Sequence, residues 1–569
     1  MQKNYSVREE LDAKQRGDLK AFSDLSSHLL FHRGIKTSKD AEVFISPEYE
    51  KSLHDPFLLS DMDKAVKRIL KAIKKNEKIV IFSDYDADGI PGAVVLHDFF
   101  KKAGYKNFTN YIPHRNDEGF GLNKEAIEIF AKNGVGLMIT VDCGIGDILE
   151  VELAQNLGID VIITDHHLPK EKLPPAFAIV NPKTSPKYLE PMLCGAGVAF
   201  KLVQGILAKE RFGIPQGAEK WLLDMVGIAT LSDMVPLTGE NRAFAVYGLL
   251  VLKKSPRLGL VKLLRKLKIN QSKLTEDDIG FMISPRINAA SRMGRSEDAF
   301  KLLVTEDIGE ANELVDHLEK INTERKSITA FLSKEVKKMI EAKYSPDFRN
   351  KIIVAGSPSW KPSILGLVAG SIAEAHQKPV FLWGREGAQE ALKGSCRSYG
   401  AVSVSHLMSS VSAGVLNEFG GHTLAGGFSV SYETVHLLEE ELERAYEKLS
   451  METLNETAWA DKEISIEDVT TSVLSDIEKL APFGVGNSKP IFIIRGAVIN
   501  DIQYFGKEKN HLKLVFQKVN NRTIEAISFF ASEDLIKKTD VNKKISIVGH
   551  IERAFFGGNP VRIRIVDIV

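Results

Sequence analysis

The chain has 569 residues, which corresponds to roughly three or four domains of ordinary size. Its 75 basic and 75 acidic side chains give a formal net charge of zero, so a polybasic binder is excluded and any cationic surface must be local. Three widely separated cysteines argue against a disulfide framework or a thiolate metal site. The first residues lack the apolar run of a secretory signal, and no stretch is typical of a membrane span, so we expect a cytoplasmic protein.

The first half of the chain predicts a parallel α/β sheet. Short apolar runs alternate with amphipathic stretches at 93–102 and 124–132, and this alternation is typical of strand–helix–strand units. The apolar runs lie at 79–82, 137–141, 161–164 and 177–180. Residues 196–270 predict helices.

A long helix is predicted next. Apolar residues recur at near-helical spacing from Ile308 to Ile340, charged residues fill the other faces, and no proline interrupts the pattern. We expect one helix of about nine turns that connects two domains. The alternative is a pair of packed helices within one domain.

A second α/β block is predicted from a strand at 352–355 to about residue 450, where an acidic helix closes it. After it the pattern changes to period-two alternation, which is typical of strands. These strands lie at 491–497, 511–517, 523–529, 544–548 and 561–566. Five strands in a small unit predict a closed or nearly closed barrel, for which the OB-fold is the natural candidate.

Acidic and histidine side chains directly follow three of the predicted strands of the first block. They are Asp84, Asp86 and Asp88, then Asp142, then the run Asp165-His166-His167. Because the carboxyl ends of parallel strands meet at one edge of a sheet, we expect these side chains to lie together. Oxygen and imidazole ligands suit Mn²⁺ or Mg²⁺, and a carboxylate that bridges two such ions would make a hydrolytic site. Asp233 is a further candidate ligand, although any one of these acids could be an ordinary helix cap or turn former.

The ordered motifs resemble those of the DHH phosphoesterase superfamily, and within it the RecJ family of single-stranded-DNA exonucleases. The metal-site motifs are D-Y-D-A-D-G at 84–89, V-D-C-G at 141–144, T-D-H-H at 164–167 and S-D-M-V-P-L at 232–237. The supporting motifs are Y-I-P-H-R-N-D-E-G-F-G at 111–121, G-A-G-V-A-F-K-L at 195–202, P-R-I-N-A-A-S-R at 285–292, G-S-C-R-S at 394–398, G-G-H-T-L-A-G-G at 420–427 and A-P-F-G-V-G-N at 481–487. The similarity covers the chain from about residue 29 onward.

The resemblance implies an α/β architecture with a DHH-type parallel-sheet catalytic domain, a long connecting helix, a smaller α/β DHHA1-like substrate-binding domain and a C-terminal OB-fold barrel. We expect an N-terminal segment at 1–60, the DHH domain at 61–305, the helix at 306–345, the DHHA1 domain at 346–455 and the OB-fold at 456–569.

The resemblance also implies roles for single residues. The positions that match the family's metal ligands are Asp86, Asp88, Asp142, His166 and Asp233, with Asp142 bridging two Mn²⁺ or Mg²⁺ ions. Asp84 would lie against this cluster, and His167 would face the scissile phosphate, so we predict that both are catalytic. The metals would lower the pKa of a water, whose hydroxide attacks phosphorus in line. The implied substrate-binding residues are Arg115, Arg286, Asn288, Arg292, Ser395, Arg397, Ser398, Gly421, His422 and Gly426.

The implied activity is degradation of single-stranded DNA from the 5′ end to mononucleotides, in DNA repair and recombination. The implied setting is a monomer that works beside a single-strand-binding protein and a RecQ-type helicase, without a membrane. The alternatives are a DHH phosphoesterase for short oligoribonucleotides or cyclic dinucleotides, a small-substrate pyrophosphatase, and an inactive nucleic-acid-binding scaffold. The chain departs from the family pattern at Ser291, Lys361, Ser363 and Ser371. These departures leave open how the second block binds its substrate.

Overall fold

The computed structural model describes residues 5–344, 350–385, 391–400, 402–421, 423–448, 458–506, 508–519, 522–554 and 560–569. None of the helices in these ranges combines the length and the apolar character needed to cross a membrane. The chain starts with a small N-terminal segment. Its elements are β1 (Tyr5–Val7), α1 (Ala13–Asp18), α2 (Asp24–Phe31), α3 (Ser38–Ile45) and α4 (Tyr49–Ser52).

A five-stranded parallel sheet forms the first α/β block and confirms the prediction for residues 79–180. Its strands are β2 (Lys78–Ser83), β3 (Phe108–Tyr111), β4 (Val135–Val141), β5 (Asp160–Thr164) and β6 (Ala178–Val180), in the spatial order β3-β2-β4-β5-β6. Strand β3 was not predicted, because it is a short edge strand in which polar residues interrupt the apolar ones. The central strands are largely buried and mostly apolar because helices cover both faces of the sheet.

Eleven helices surround this sheet in the described part of the block. They are α5 (Met62–Lys75), α6 (Gly89–Lys102), α7 (Lys124–Lys132), α8 (Ile148–Asn156), α9 (Gly195–Lys209), α10 (Leu223–Ser232), α11 (Gly239–Leu252), α12 (Leu258–Lys266), α13 (Glu276–Asp278), α14 (Ser284–Arg292) and α15 (Ser296–Val304). Helices α5, α6 and α9 bury their apolar faces on one side of the sheet, and α7 and α8 on the other. The helical prediction for residues 196–270 is confirmed.

A single helix, α16 (Ile308–Lys343), connects the two blocks. Its 36 residues span about 54 Å, so the alternative of two packed helices is wrong. The side chain of Asp307 caps its start by accepting a hydrogen bond from the Glu310 N–H at 2.7 Å. The first part of α16 packs into the core of the first block, and the last part packs into the core of the second block.

A mixed five-stranded sheet forms the second block. Its strands are β7 (Ile353–Gly356), β8 (Val380–Arg385), β9 (Leu392–Arg397), β10 (Glu418–Gly421) and β11 (Ala425–Val430), in the order β10-β11-β9-β8-β7. Only β7 and β8 run parallel to each other. Helix α17 (Pro362–His376) covers one face, and α18 (Val404–Ser409) and α19 (Leu438–Glu447) cover the other.

The predicted OB-type barrel is confirmed at the C-terminal end. Its elements are β12 (Ala458–Ala460), β13 (Lys462–Ile464), α20 (Thr471–Glu478), β14 (Phe492–Phe505), β15 (His511–Gln517), β16 (Thr523–Ser528), α21 (Glu533–Lys537), β17 (Lys544–Arg553) and β18 (Val561–Ile568). The barrel order is β14-β15-β16-β18-β17, and pairing of β17 with β14 closes it. Strand β14 is longer than predicted because it bends at a register shift near Ile499 and pairs with three neighbours, β13, β15 and β17.

The N-terminal segment packs on the barrel although most of the chain separates them. Leu19, Leu29 and Leu30 share one apolar core with the barrel strands, and β1 pairs in parallel with β12. The barrel is also joined to the first block, because the Leu237 N–H donates to the Val485 carbonyl at 2.7 Å. The domain boundaries stated above stay a prediction.

Candidate active site

The predicted carboxylates and imidazoles meet at the carboxyl edge of the parallel sheet. Three sets of ligand atoms each lie within 4.8 Å of one another: Asp84, Asp86 and Asp142; Asp142, His166 and His167; and Asp88, His166 and Asp233. Asp142 and His166 each belong to two sets, so the three sets form one continuous group. The Nε2 atom of His166 lies 3.2 Å from Asp142 Oδ1 and 3.7 Å from Asp233 Oδ2. The structure therefore brings all seven of these side chains together.

The start of helix α9 positions two of the carboxylates. The backbone N–H groups of Gly195 and Ala196 donate to the carboxylate of Asp88 at 2.6 and 2.7 Å, where the positive end of the helix dipole adds to the attraction. A Cβ atom on Gly195 would lie 2.5 Å from the Cβ of Asp142, so only glycine allows this approach. Asp142 itself has a left-handed backbone with φ of 61°. Strain of this kind is typical of functional sites.

The turn after β2 is held by its own side chains and by Asn288. The Oδ1 atom of Asp86 accepts hydrogen bonds from the N–H groups of Asp88 and Gly89 at 2.7 and 3.1 Å. The Oδ1 atom of Asn288 accepts from the Ala87 N–H at 3.0 Å. Asn288, which the sequence predicts as a substrate-binding residue, therefore also holds the turn that carries three of the acids.

Burial, followed by repulsion between neighbouring aspartates, raises the pKa of several carboxyls in this group. It raises the pKa of Asp88 to about 7 and that of Asp233 to about 8, and the pKa values of Asp84 and Asp142 lie well above their usual range. The Oδ1 atom of Asp84 is buried and accepts no hydrogen bond within the described ranges. A cluster of several buried carboxylates costs free energy unless a bound cation compensates their charge. Most ligand atoms of the acidic group are oxygens, which suits Mn²⁺ or Mg²⁺.

The two histidines differ in charge because their surroundings differ. Burial, together with the charge of His167, lowers the pKa of His166 to about 3. His166 is therefore neutral, which is the form that binds metals. Burial would also lower the pKa of His167, but the hydrogen bond to Asp165 and the charge of that carboxylate outweigh burial and raise it to about 9.

Asp165 has a role that the sequence did not predict. Its buried carboxylate accepts hydrogen bonds from the N–H groups of Ile145, His166 and His167 at 3.0, 2.7 and 3.0 Å. The same carboxylate lies 2.8 Å from Nδ1 of His167. It thereby orients the ring of His167 and leaves Nε2 as the nitrogen available to a substrate. The D-H-H sequence contains Asp165 but does not reveal which neighbour its side chain faces.

Four arginines from separate elements lie beside the acidic group. Arg115 follows β3, Arg292 ends α14, Arg325 lies on α16 and Arg397 ends β9. Burial and then the charges of Arg115, Arg397 and Arg325 lower the pKa of Arg292 to about 9. In the described part of the chain none of the four forms an ion pair with a carboxylate, and Nε of both Arg292 and Arg325 is buried without a partner. Such a cluster favours an anion with several oxygens. Arg325 was not predicted, because on a charged helix it gives no distinguishing signal.

Arg286 uses its donors inside the protein. Its Nε atom donates to Glu319 of α16 at 2.5 Å, and its Nη1 atom donates to the Met282 carbonyl at 2.8 Å. The guanidinium is almost fully buried. Arg286 therefore joins α14 to the connecting helix, next to the site to which the sequence assigns it.

The predicted residues of the second block meet along one edge of its sheet. Gly421 pairs with Gly426 in the β10–β11 hairpin, and β11 pairs with the segment of β9 that carries Ser395 and Arg397. Gly421 has a φ of 143°, which requires glycine. The hydroxyl of Ser398 donates to the Val402 carbonyl. His422 lies outside the described residues.

The two blocks contact each other beside the acidic group. The Nη1 atom of Arg292 donates to the Ser363 carbonyl at 2.6 Å, and the Ser363 hydroxyl donates to the Arg292 carbonyl at 3.2 Å. Ser363, one of the departures from the family pattern, therefore forms a contact between the blocks. The buried hydroxyl of Ser291 donates to the Asn288 carbonyl at 3.1 Å, whereas Lys361 and Ser371 are exposed.

A cavity of about 760 Å³ leads from this contact to the barrel. Asn288, Arg292 and Arg325 line it on the side of the first block and the connecting helix, and Lys489 and Arg564 line it on the side of the barrel. The cavity therefore joins the arginine cluster to the C-terminal domain, and its lining is of mixed charge, because Glu276 and Asp277 also line it and Asp277 pairs with Lys489 at 2.8 Å.

Three family models match the chain: the DHH family N-terminal domain at residues 78–230, the DHHA1 domain at 349–452 and the RecJ OB domain at 460–567. The single-stranded-DNA-specific exonuclease RecJ of Bacillus subtilis is 34% identical and matches 93% of this chain, which spans 65% of that relative's length. The RecJ of Haemophilus influenzae is 30% identical over 98% of both chains. The crystal structure of RecJ with Mn²⁺ from Thermus thermophilus has a TM-score of 0.82 at 26% identity, and the match covers 100% of this chain and 79% of that one. As the resemblance predicted, the chain belongs to the RecJ family.

Proposed function

We propose that the chain is a metal-dependent exonuclease that degrades single-stranded DNA from the 5′ end to mononucleotides, in DNA repair and recombination. The observation that carries the proposal is the position of four arginines without carboxylate partners against a buried group of aspartates and histidines. Phosphodiester hydrolysis needs both parts, because the cationic groups bind the non-bridging oxygens and the acidic group can hold metals. The matched B. subtilis and H. influenzae relatives are named single-stranded-DNA-specific exonucleases, which supports the substrate and the type of cleavage.

The acidic group would hold two Mn²⁺ or Mg²⁺ ions. The side chains that would bind them are Asp84, Asp86, Asp88, Asp142, His166 and Asp233. Asp142 would be shared between the ions, because among the described residues it is the one carboxylate in two of the three sets of ligand atoms, and a carboxylate can bind two ions whereas an imidazole nitrogen binds one. When bound, the ions would compensate the carboxylate charge and supply an activated water as the nucleophile. The solved structures of the T. thermophilus RecJ are complexes with Mn²⁺ and with Mg²⁺.

The protein's own residues would bind and orient the strand. His167, held by Asp165, would donate from Nε2 to an oxygen of the scissile phosphate. Arg115, Arg292 and Arg397 would bind the phosphate at the strand end, and the glycine-rich edge of the second block would offer backbone N–H groups. Binding at the end of the strand would make the enzyme an exonuclease.

Preference for a single strand follows from the contact between the two blocks. The hydrogen bonds between Arg292 and Ser363 join the blocks beside the acidic group, and we expect the space next to this contact to admit a strand of separate bases more readily than a double helix. The cavity would then carry the strand towards the barrel, where Arg564 lines it. We expect a monomer whose single-stranded substrate is supplied by a RecQ-type helicase and a single-strand-binding protein.

Hydrolysis of matched substrates tests this proposal. One sequence is prepared as single-stranded DNA, blunt duplex and single-stranded RNA, and a dinucleotide is included. We expect rapid release of mononucleotides from the DNA strand with Mn²⁺ or Mg²⁺, little from the duplex, and none with EDTA. Asp142→Ala serves as the inactive control. Preferential cleavage of the dinucleotide, or equal cleavage by Asp142→Ala, would contradict the proposal.

A further inference from the structure

Tyr85 lies between two members of the acidic group and its position is rigid. It stands between Asp84 and Asp86, and only 6% of its surface is exposed. The turn around it is fixed on both sides, because the Asp84 N–H donates to the Val141 carbonyl at 3.0 Å and Asn288 holds the Ala87 N–H. The buried ring is therefore confined by the residues around it. Tyr85 belongs to none of the sets of ligand atoms in the acidic group, and its hydroxyl makes no hydrogen bond with the other described residues.

Arg115 rests on this ring. The centre of its guanidinium lies 4.9 Å from the centre of the Tyr85 ring, within the range of a cation–π contact. In the described part of the chain its side chain has no hydrogen bond and no ion pair, whereas Arg292 and Arg397 each donate to a backbone carbonyl. The Tyr85 ring is therefore the contact that holds the Arg115 guanidinium in place.

An aromatic ring suits this position better than a carboxylate would. A carboxylate would orient Arg115, but it would also neutralise the charge and occupy the donors that a phosphate needs. The ring attracts the cation through its electron-rich face and leaves all the guanidinium donors free. The Tyr85 ring also restrains Arg115 next to Asp84 and Asp86. Without the ring, these carboxylates would attract the guanidinium into the acidic group.

We infer that Tyr85 is a positioning residue. It holds Arg115 beside the acidic group so that the free N–H donors of the guanidinium meet the phosphate of the incoming strand. The inference rests on the proposed function, because it takes that phosphate as the ligand of Arg115. Tyr85 acts only through Arg115 and does not touch the substrate.

A double-mutant cycle tests the inference. The variants are Tyr85→Met, Tyr85→Phe, Arg115→Ala and the pair Tyr85→Met with Arg115→Ala, and KM and kcat are measured on a 5′-phosphorylated single-stranded oligonucleotide. We expect Tyr85→Met to raise KM about tenfold with a smaller change in kcat, because the cation–π contact is lost in a desolvated site. Tyr85→Phe keeps the ring and should stay close to the wild type. In the Arg115→Ala background, Tyr85→Met should cause no further rise in KM.

Three results would overturn the inference: a full additional loss in the double variant, a Tyr85→Phe variant as impaired as Tyr85→Met, or an unchanged KM in Arg115→Ala. If the wild-type protein fails to degrade the oligonucleotide, the proposed function fails, and a crystal structure of Tyr85→Met without DNA then decides the inference separately. A guanidinium of Arg115 that stays in place without the ring would refute it. If Tyr85→Met does not fold, the same measurements are made with Tyr85→Leu.

Discussion

The close approach of α9 to the acidic group can be tested with one methyl group. Gly195→Ala would place a Cβ atom 2.5 Å from the Cβ and 2.7 Å from the Cγ of Asp142. Ordinary contacts between carbon atoms are about 3.5–4.0 Å long, so Asp142 or the helix must move by about 1 Å. Overpacking of this kind costs about 1–3 kcal/mol of stability. The larger effect falls on catalysis, because a displacement of about 1 Å in an active site can cost about a hundredfold in rate.

Gly197→Ala is the matched control, two residues further along the same helix. A Cβ atom at position 197 would have its nearest neighbours at 3.5 Å, which is an ordinary contact. Both changes replace glycine by alanine in α9, so a general effect of helix propensity would act on both in the same direction. The assay compares initial rates on single-stranded DNA with Mn²⁺ together with thermal midpoints. Activity close to the wild type in Gly195→Ala would refute the reasoning, as would an equal loss in Gly197→Ala.

Further predictions concern the charges around the site. Asp142→Asn should abolish hydrolysis yet raise the thermal midpoint of the metal-free protein, since it removes a carboxylate that burial and then the charges of the neighbouring aspartates destabilise; a lower midpoint would contradict this. Asp165→Asn should reduce kcat about tenfold or more, because it weakens a charge-assisted hydrogen bond to His167, and calorimetry should show unchanged Mn²⁺ binding. Arg286→Met should lower the free energy of unfolding by about 3–5 kcal/mol, because it leaves Glu319 without its partner. Adding Glu319→Gln should recover part of this in denaturant titrations, and no recovery would argue against the pair.

The sequence predicts the acidic group well because its side chains follow strands whose ends must lie side by side. Asp84, Asp142 and His166 follow or lie near the ends of adjacent parallel strands, and such strand ends always meet at one edge of the sheet. The period-two pattern of the barrel and the uninterrupted periodicity of α16 are local signals of the same kind. The fold class could therefore be predicted from short stretches of sequence taken separately.

Features that depend on distant partners could not be predicted in this way. The role of Asp165 depends on the direction of a single side chain, and that of Arg325 on the approach of three other arginines. The partner of Arg286 is Glu319, 33 residues later on another helix. The packing of Leu29 on the barrel joins segments from opposite ends of the chain. These contacts depend on tertiary packing, which local sequence patterns do not predict.

Digestion of one single-stranded oligonucleotide, labelled at its 5′ end or at its 3′ end, tests the central claim most directly. With Mn²⁺, the account predicts that the 5′ label appears at once as a mononucleotide, while the 3′ label stays in strands that shorten progressively. EDTA should stop both reactions. Early release of a 3′-labelled mononucleotide, or labelled fragments of intermediate length from the 5′ end, would contradict an exonuclease whose arginine cluster holds the 5′ end of the strand.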